Sequence, residues 1–293
     1  MIPPHVLQHL RYLEIATVKK IRAARLGPYT SPARGVGFDF DQHRAYQPGD
    51  DVRRIDWNVT ARLNAPYLRQ THAERELNLI VAVDVSRSME IGASRYSKKE
   101  AVSFIAASLL FSAAGDQINI GFLAFADRVL SWSPPRRASG RAWRLLEEMW
   151  QLDPGASGTA LRPPVNHLCS TLRSMNMVFL ISDFISDDDV FDSREFRMLA
   201  ARHDVIAVIV EDPAETQLPS GGGFIRARDA ETGASTMVAL NDFSRRSYAD
   251  AVARRRRALL DACYRVPIDC VVVRSDEPAT EPVIELLARR KKA

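Results

Sequence analysis

Apolar runs of strand length alternate with amphipathic stretches along most of the chain. The runs predict buried strands at 77–83, 117–125, 176–182, 204–210 and 267–273, with a short strand near 129–132 beside the second. Apolar positions at helical spacing predict helices at 95–114, 140–151, 161–173, 189–202 and 242–265, and a hairpin is expected at about 223–239. Such alternation is typical of a doubly wound, mostly parallel sheet covered by helices, so we predict an α/β fold.

The first 75 residues follow a different pattern. Residues 4–26 carry apolar side chains at helical spacing, and Gly27-Pro28 ends this amphipathic helix. Glycines and prolines predict irregular structure over 28–60, and the chain is expected to be extended over 66–83. We therefore expect four parts, which are an N-terminal helix (1–27), an accessory arm (28–75), an α/β domain (76–275) and a basic C-terminal tail (276–293).

Two of the predicted buried strands end in aspartate. The first stops at Asp84 and is followed by hydroxyls at Ser86 and Ser88, and another stops at Asp183. In an open parallel sheet, ligands bind at the carboxyl ends of the strands. Carboxylate and hydroxyl oxygens at one edge are suitable ligands for a hard cation such as Mg²⁺. An alternative is that the serines cap the next helix and the second aspartate opens a turn.

A third segment, Gly158-Thr159-Ala160, lies between these strands in sequence. Together the segments resemble the metal-ion-dependent adhesion site of von Willebrand factor A domains. In that family three hydroxyls contact the ion, and two aspartates bind it directly or through water. The resemblance implies a von Willebrand factor A-like domain over residues 76–275 with the metal ligands Asp84, Ser86, Ser88, Thr159 and Asp183.

The accessory arm carries a dense block of glycines, acids, arginines and aromatics. It resembles the signature of the bacterial family called "domain of unknown function, fifty-eight", whose genes often lie beside those of MoxR-type AAA+ ATPases. Asp39 stands where glutamate is expected, and the resemblance extends over roughly residues 30–275. The signature positions are Arg44, Tyr46, Pro48, Gly49, Asp50, Asp51, Arg53, Asp56 and Trp57.

Aromatic residues in this arm predict that it is ordered. A solvated loop has no need of Phe38, Phe40, Tyr46 and Trp57, so we expect ion pairs and aromatic packing to hold the arm. The family resemblance implies a von Willebrand factor A-like domain with an accessory N-terminal segment. It also implies a role beside a MoxR-type AAA+ ATPase in assembling or activating a client protein.

Composition restricts the class of protein further. Apolar residues make up 46% of the chain and the three cysteines are scattered, so we expect a large core with free thiols in a reducing compartment. No apolar signal-peptide core is present near the N-terminus. The apolar stretch 101–126 is interrupted at Gly115, which leaves about 15 residues where ~20 are needed to span a bilayer. We expect a cytoplasmic protein with no membrane insertion.

The expected cofactor is Mg²⁺, or Mn²⁺ in its place, because the ligands are all oxygen. Side chains alone leave at least one coordination position to water, and the carboxylate of a partner protein can replace that water. The sequence therefore favours a non-enzymatic, metal-dependent protein-interaction module. The family resemblance implies that its partners are a MoxR-type AAA+ ATPase and a client protein, and no small-molecule substrate is expected.

Two other functions stay open. A Mg²⁺-dependent hydrolase of the haloacid dehalogenase type also begins with aspartate at a strand end, but it needs an acid where this chain has Ser86. A nucleic-acid-binding protein would use basic runs such as Arg254–Arg257 and Arg289–Lys292. Four consecutive helical residues point in all directions, so neither run predicts a flat basic patch. The acidic run at 187–189 is expected to cap helix 189–202.

Overall fold

The computed structural model describes residues 2–24, 34–35, 39–48, 50–72, 78–92, 96–137, 140–155, 158–186 and 188–290. The chain divides into two units, a larger one built from residues 1–26 and 77–293, and a smaller one built from residues 27–76.

The helices and strands follow one another in a regular order. In chain order they are α1 (Pro4–Ala24), β1 (Arg34–Gly35), β2 (Asp39–Ala45), α2 (Trp57–Leu63), β3 (Tyr67–His72), β4 (Asn78–Asp84), α3 (Lys98–Gly115), β5 (Asn119–Phe125), β6 (Val129–Arg137), α4 (Arg141–Gln151), α5 (Arg162–Thr171), β7 (Met177–Ser182), α6 (Arg194–Arg202), β8 (Asp204–Glu211), α7 (Pro213–Thr216), β9 (Gly223–Arg228), β10 (Ser235–Leu240), α8 (Asp242–Tyr264), β11 (Asp269–Arg274) and α9 (Glu281–Arg290). Two short 3₁₀ helices lie at Val52–Arg54 and Arg87–Glu90.

A six-stranded sheet forms the centre of the larger unit. Its strand order is β11-β8-β7-β4-β5-β6, and every neighbouring pair is parallel except β5 with β6. The chain runs outward from β4 to β5 and β6, and then returns to the other side of β4 with β7. This confirms the predicted doubly wound, mostly parallel α/β fold. The reversal of strand order lies between β4 and β7, where sheets of this kind bind ligands.

Strand β4 explains why the sheet is covered on both faces. Its side chains alternate, so Leu79 and Val81 pack into one apolar core while Ile80 and Ala82 pack into the other. The first core also receives side chains of α1, α3, α4 and α9, and the second receives those of α5, α6 and the end of α8. A strand buried on both faces has no polar side, and this accounts for its continuous apolar run.

Helix α3 begins with a capping box, which fixes its start beside the carboxyl end of β4. The Ser97 hydroxyl accepts the Glu100 N–H, and the Glu100 carboxylate accepts the Ser97 N–H at 2.7 Å. Most of the helix is buried in the first core, where α1 packs against it through Val6 and Leu10. The N-terminal helix is thus part of the larger unit.

The smaller unit contains more regular structure than the sequence predicts. Irregular structure was expected over 28–60, but β2 pairs antiparallel with β3 and α2 follows. Aspartate caps that helix, because the Asp56 carboxylate accepts the backbone N–H groups of Asn58 and Val59. The extended stretch expected over 66–83 is two strands of different sheets, β3 and β4, and residues 73–77 lie outside the described residues.

The predicted hairpin is present as β9 and β10, a two-stranded antiparallel pair outside the six-stranded sheet. Most of its side chains are exposed. Within the described ranges of the chain, no helix combines the length and the apolar character needed to cross a membrane.

Candidate metal site

Asp84 ends strand β4 as a buried carboxylate. It is 1% exposed, and both of its oxygens accept hydrogen bonds. Oδ1 accepts the Ser86 backbone N–H at 2.8 Å, and Oδ2 accepts the Ser182 hydroxyl at 2.6 Å. The second bond crosses from β4 to the neighbouring strand β7, so it fixes the carboxylate at the point where the strand order reverses.

The hydroxyls that follow Asp84 connect it to the second predicted aspartate. Ser88 lies on the 3₁₀ helix after β4, and its hydroxyl donates to Asp183 Oδ2 at 3.0 Å. Ser86 Oγ lies 3.0 Å from Ser88 Oγ, so Ser86 supplies the proton of that bond. Asp183 follows β7, and its Oδ1 accepts the Ile185 N–H. Four of the five predicted ligands therefore belong to one hydrogen-bonded cluster.

A lysine that the sequence analysis did not single out completes this cluster. Lys98 is the first residue of α3, and its buried ammonium donates to Asp183 Oδ2 at 2.7 Å. The same ammonium donates to Glu215 Oε1 at 2.8 Å. Glu215 lies on the short helix α7, just beyond the carboxyl end of β8. Three carboxylates and one ammonium are thus brought together by four segments of the chain.

Burial and nearby charges shift the pKa values of Asp84 and Lys98. Burial raises the pKa of Asp84 to about 7, and the nearby Asp183 carboxylate adds to the effect. Burial also lowers the pKa of Lys98, but the carboxylates of Asp183 and Glu215 outweigh it and hold the pKa above its ordinary value. At neutral pH the Asp84 carboxyl is therefore partly protonated, whereas Lys98 stays charged beside Asp183 and Glu215.

The backbone after Asp183 adopts an unusual conformation. Phe184 has a φ of 54°, in the left-handed region that large side chains seldom adopt. Its N–H donates to the Ser182 hydroxyl at 3.0 Å, and this hydroxyl in turn donates to Asp84. The strained residue thus places both the Ser182 hydroxyl and the Asp183 carboxylate at the edge of the sheet.

Thr159, the fifth predicted ligand, lies on a neighbouring loop with a different partner. The loop is held beside the end of β5, because the Ala160 N–H donates to Ala126 O at 2.9 Å. The Thr159 hydroxyl donates to Glu231 Oε1 at 2.5 Å, and Glu231 belongs to the turn between β9 and β10. Thr159 is therefore at the same edge of the sheet as the cluster but is bonded to the hairpin.

The acidic run at 187–189 does not have the role expected from the sequence. Helix α6 begins at Arg194 and is capped by Ser193, so the prediction of a helix from 189 with an acidic cap is wrong. Asp188 instead accepts the backbone N–H groups of Leu161 and Arg162 at 2.8 and 2.6 Å. It thereby caps α5 and holds the loop that carries Thr159, while Asp187 lies outside the described residues.

The donor set fits a hard divalent cation. Asp84, Ser86, Ser88 and Asp183 offer only oxygen, which is the ligand that Mg²⁺ and Mn²⁺ prefer. A second feature is that Lys98 pairs with Asp183 and Glu215, so the buried Asp84 carboxylate has no ion pair with that ammonium. Across the described residues, no group of three or more His, Cys, Asp or Glu side chains is arranged to hold a metal ion, so such a site depends on the serine and threonine hydroxyls.

Several signature residues of the arm make contacts within the smaller unit. Arg44 makes a bidentate ion pair with Asp50, with N···O distances of 2.9 and 2.7 Å, and Asp50 also accepts the Gln47 N–H. Asp56 caps α2 and lies 3.0 Å from His43 Nε2. These contacts agree with the expected ion pairs.

The remaining signature positions differ in their surroundings. Asp51 accepts the N–H of Arg53, and Tyr46 is half-buried. Trp57 is 70% exposed, which does not match the expected aromatic packing. Pro48 lies in the turn before Asp50, whereas Gly49, Phe38 and the side chain of Phe40 lie outside what the structure describes.

Two sequence signals could have identified the missed residues. Lys98 occupies the first turn of α3, where the helix dipole disfavours a cation, so a lysine there suggests a buried anionic partner. Glu215 follows Glu211-Asp212, which makes β8 a third buried strand ending in acids beside the first two. No such signal marks Glu231, because a hairpin turn rich in polar residues is ordinary.

Curated relatives of the chain include uncharacterized proteins of mycobacteria. One from Mycobacterium tuberculosis (strain H37Rv) is 28% identical over 291 residues, which cover 99% of this chain and 91% of the relative. A protein of Mycobacterium bovis matches to the same extent. The similarity thus extends over both units of the chain.

Solved structures that resemble the chain include BatB, a conserved hypothetical protein from Bacteroides thetaiotaomicron, with a TM-score of 0.44 and 17% identity over 74% of this chain and 100% of BatB. Another is described as von Willebrand factor type A from Catenulispora acidiphila, with a TM-score of 0.40 and 14% identity over 76% of this chain and 44% of that one.

The sheet of the larger unit has one antiparallel edge strand on an otherwise parallel sheet, with Asp84 and Asp183 at its carboxyl edge. This arrangement agrees with the α/β fold that the von Willebrand factor A resemblance implied. The family model described as "Protein of unknown function DUF58" matches residues 42–258, which include part of the smaller unit. The chain therefore belongs to the DUF58 family.

Proposed function

We propose that the chain is a non-enzymatic protein-interaction module that binds its partner through a divalent cation. The ion is Mg²⁺, or Mn²⁺ in its place, and a carboxylate of the partner completes its coordination. The ligands on this chain are Asp84, Ser86, Ser88, Thr159 and Asp183.

One observation carries this proposal, namely the hydrogen-bonded cluster at the reversal of strand order. Asp84 and Asp183 come from neighbouring strands, and the hydroxyls of Ser86 and Ser88 connect them. Burial and the nearby Asp183 carboxylate raise the pKa of Asp84 to about 7, so its charged form is unfavourable unless a proton or a cation lies beside it, and the Lys98 ammonium is bonded to Asp183. A divalent cation supplies positive charge there, and it leaves coordination positions that side chains do not fill.

The same geometry supports binding over catalysis. A hydrolase that used Asp84 as its nucleophile would need an acid two residues later, and Ser86 stands there. Its hydroxyl is bonded to Ser88 and is not a group that can donate a proton at neutral pH to a leaving alcohol. The ion is thus proposed as a bridge between two proteins.

The proposed partners are a MoxR-type AAA+ ATPase and a client protein that the two act on together. Membership of the DUF58 family supports this, because the resemblance to that family implied a role beside such ATPases. Binding through the ion requires an accessible glutamate or aspartate on the partner, which is either the ATPase or the client protein.

Asp84→Asn tests the proposal, because it removes one charge while it keeps the shape of a buried side chain. Calorimetry should detect one Mg²⁺ site in the wild type and none in this variant, whereas Asp189→Ala, a change at an exposed aspartate near the same edge, should bind normally. The wild-type chain should not capture a MoxR-type ATPase in EDTA, and capture should return when Mg²⁺ is added.

Capture that persists in EDTA would contradict the proposal. If capture also collapsed between low salt and about 300 mM salt, the exposed arginines of α8 and a nucleic-acid bridge would be the better explanation. Turnover of a phosphate ester by the wild type, lost in Asp84→Asn, would favour the hydrolase.

A further inference from the structure

The hairpin of β9 and β10 is held at both ends and exposed between them. At its tip, the Glu231 carboxylate accepts the Thr159 hydroxyl at 2.5 Å. At its base, Arg245 of α8 donates to Gly221 O at 2.8 Å. The two strands form a sheet of their own, and most of their side chains are exposed. The hairpin is therefore fixed in place without being covered.

The hydrogen-bond pattern shows which backbone groups of the hairpin point outward. The Asp229 N–H donates to Ala234 O, and from there six residue pairs continue without a bulge to Gly223 opposite Leu240. Hydrogen-bonded and non-hydrogen-bonded pairs alternate in an antiparallel ladder. Every second residue therefore directs its N–H and C=O away from the other strand. These residues are 224, 226 and 228 in β9, and 235, 237 and 239 in β10.

The two outer edges of the hairpin have different surroundings. At the edge of β10, Ala239 O accepts the Ser244 hydroxyl at 2.5 Å, and α8 begins directly after that strand. At the edge of β9, no group in the described part of the chain bonds to the outward N–H and C=O groups of Phe224, Arg226 and Arg228. A strand edge with unpaired backbone groups is a template for a further strand. The β9 edge is thus open to pairing.

The side chains along this edge indicate which kind of strand fits. Phe224, Arg226 and Arg228 share one face, because side chains alternate along a strand. Phe224 is 72% exposed, and Met237, which lies opposite Arg226, is 60% exposed. Both arginines are exposed, and among the described residues neither forms an ion pair with an acid. A strand with acidic and apolar side chains complements this face.

A second copy of the same strand is a poor match. Pairing β9 with itself brings the arginines of both copies together, and like charges opposite each other are destabilising. The edge strand β6 of the central sheet is protected differently, because Pro134 and Pro135 have no N–H to donate. Strand β9 contains no proline, so its charges oppose self-association and still allow an acidic strand to pair.

We propose that the β9 edge binds an extended acidic segment of a partner protein, which adds a third strand to the hairpin. The backbone of the segment pairs with Phe224, Arg226 and Arg228, and its carboxylates lie beside the two guanidinium groups. This docking surface goes beyond the proposed metal site and does not depend on an ion. Because the hairpin is already held at both ends, the chain loses little conformational freedom when the segment binds.

The test uses the whole chain and, as the probe, a blocked peptide of about eight residues in which glutamate alternates with threonine. A second peptide carries lysine in place of glutamate, and a third is N-methylated along its backbone, which removes its N–H groups. Arg226→Glu with Arg228→Glu reverses the charge of the edge. Arg254→Glu with Arg257→Glu, at exposed positions of α8, is the matched control. Fluorescence anisotropy measures affinity, and NMR measures the exchange of single amides.

We expect the glutamate peptide to bind the wild type and the α8 control equally, and the charge-reversed hairpin about tenfold or more weakly. The charge-reversed hairpin should prefer the lysine peptide, which a merely unfolded hairpin would not do. The bound peptide should slow exchange of the outward N–H groups of residues 224, 226 and 228. It should leave residues 225 and 227 unchanged, because their N–H groups are already bonded to β10.

Three results would overturn the inference. One is no binding of the glutamate peptide to the wild type, or an equal loss in the α8 control, which would indicate a general attraction to a basic protein. Another is full affinity for the N-methylated peptide, since strand addition requires its N–H groups. The third is a single-stranded oligonucleotide that binds at Arg226 and Arg228 more tightly than the glutamate peptide. None of these results bears on the proposed metal site.

Discussion

Lys98 Nζ lies 2.7 Å from Asp183 Oδ2, and the two side chains are 0% and 2% exposed. The lysine begins α3, where the helix dipole opposes a positive charge, so its position depends on the carboxylates of Asp183 and Glu215. A buried ion pair contributes little net stability, but the loss of one partner leaves an uncompensated charge. Lys98 is thus a fixed cation on the same carboxylate that we propose as a metal ligand.

Lys98→Met should therefore lower the free energy of unfolding by about 3–5 kcal/mol in the presence of a chelator. Urea denaturation measures the loss. Lys99→Met is the matched control, because Lys99 is half-buried and its ammonium lies 3.8 Å from the exposed Glu90. The control should cost about 1 kcal/mol or less. Equal losses in the two variants would show that Asp183 and Glu215 do not need the ammonium.

Ser88→Ala separates metal binding from stability. The Ser88 hydroxyl donates to Asp183, and Ser275 after β11 makes the same kind of buried bond to Asp212 at 2.5 Å. Each alanine should cost about 1 kcal/mol of stability. Only Ser88→Ala should weaken Mg²⁺ binding, by about tenfold or more, because Ser275 lies outside the proposed ligands. Calorimetry on both variants decides, and equal affinities would exclude Ser88 as a ligand.

The central sheet could be predicted because its strands carry a strong signal. Ile80 and Val81 point to opposite faces and are both fully buried, so the run has no polar alternation. Strand β2 has the opposite character, since Asp39–Ala45 is mostly polar and becomes a strand through pairing with β3. Helix α2 has only seven residues, too few to show a helical period. The local pattern of apolar and polar residues therefore did not predict β2 or α2.

The site was only partly predictable for a related reason. Asp84, Ser86, Ser88 and Asp183 follow strand ends, and parallel strands bring their ends to one edge whatever lies between them in sequence. Glu231 reaches that edge from an exposed hairpin that is no part of the central sheet. Its contact with Thr159 depends on where the fold places the hairpin, and a sequence motif does not contain that information.

His203 should make stability depend on pH. Burial lowers its pKa below the ordinary 6.5, with Arg202 adding to the effect, and Nδ1 lies 3.3 Å from Asn176 Nδ2. The unfolded chain then binds the proton more readily, so stability is lost as pH falls through about 6.5. Urea denaturation between about pH 7.5 and 5.5 should show the wild type losing more stability than His203→Gln. A difference that stayed constant over this range would contradict the assignment.

Asp56 should control the order of the smaller unit. Its carboxylate accepts two backbone N–H groups at the start of α2 and lies 3.0 Å from His43, whereas Asp51 accepts a single N–H. Asp56→Ala should therefore expose Arg62, in the last turn of α2, to trypsin in the native protein. Asp51→Ala should be cut more slowly at that site. Equal cleavage rates in the two variants would mean that the cap does not hold the helix.

Asp188 should affect the metal without contacting it. Its Oδ2 accepts the N–H groups of Leu161 and Arg162, and its Oδ1 accepts the Ser186 hydroxyl at 2.5 Å. The side chain thus connects the segment after β7 to the loop that carries Thr159. Asp188→Ala frees that loop, so the affinity for Mg²⁺ should fall by several-fold, and hydrogen exchange at residues 158–162 should become faster.

Asp189→Ala is the matched control for this variant, because Asp189 is adjacent and exposed. It should change neither the affinity nor the exchange rates. Asp188→Ala combined with Thr159→Ala should bind Mg²⁺ no more weakly than Thr159→Ala alone, since Asp188 acts through the placement of that hydroxyl. Additive losses in the double variant would mean that Asp188 acts on the ion by another route, such as its own charge.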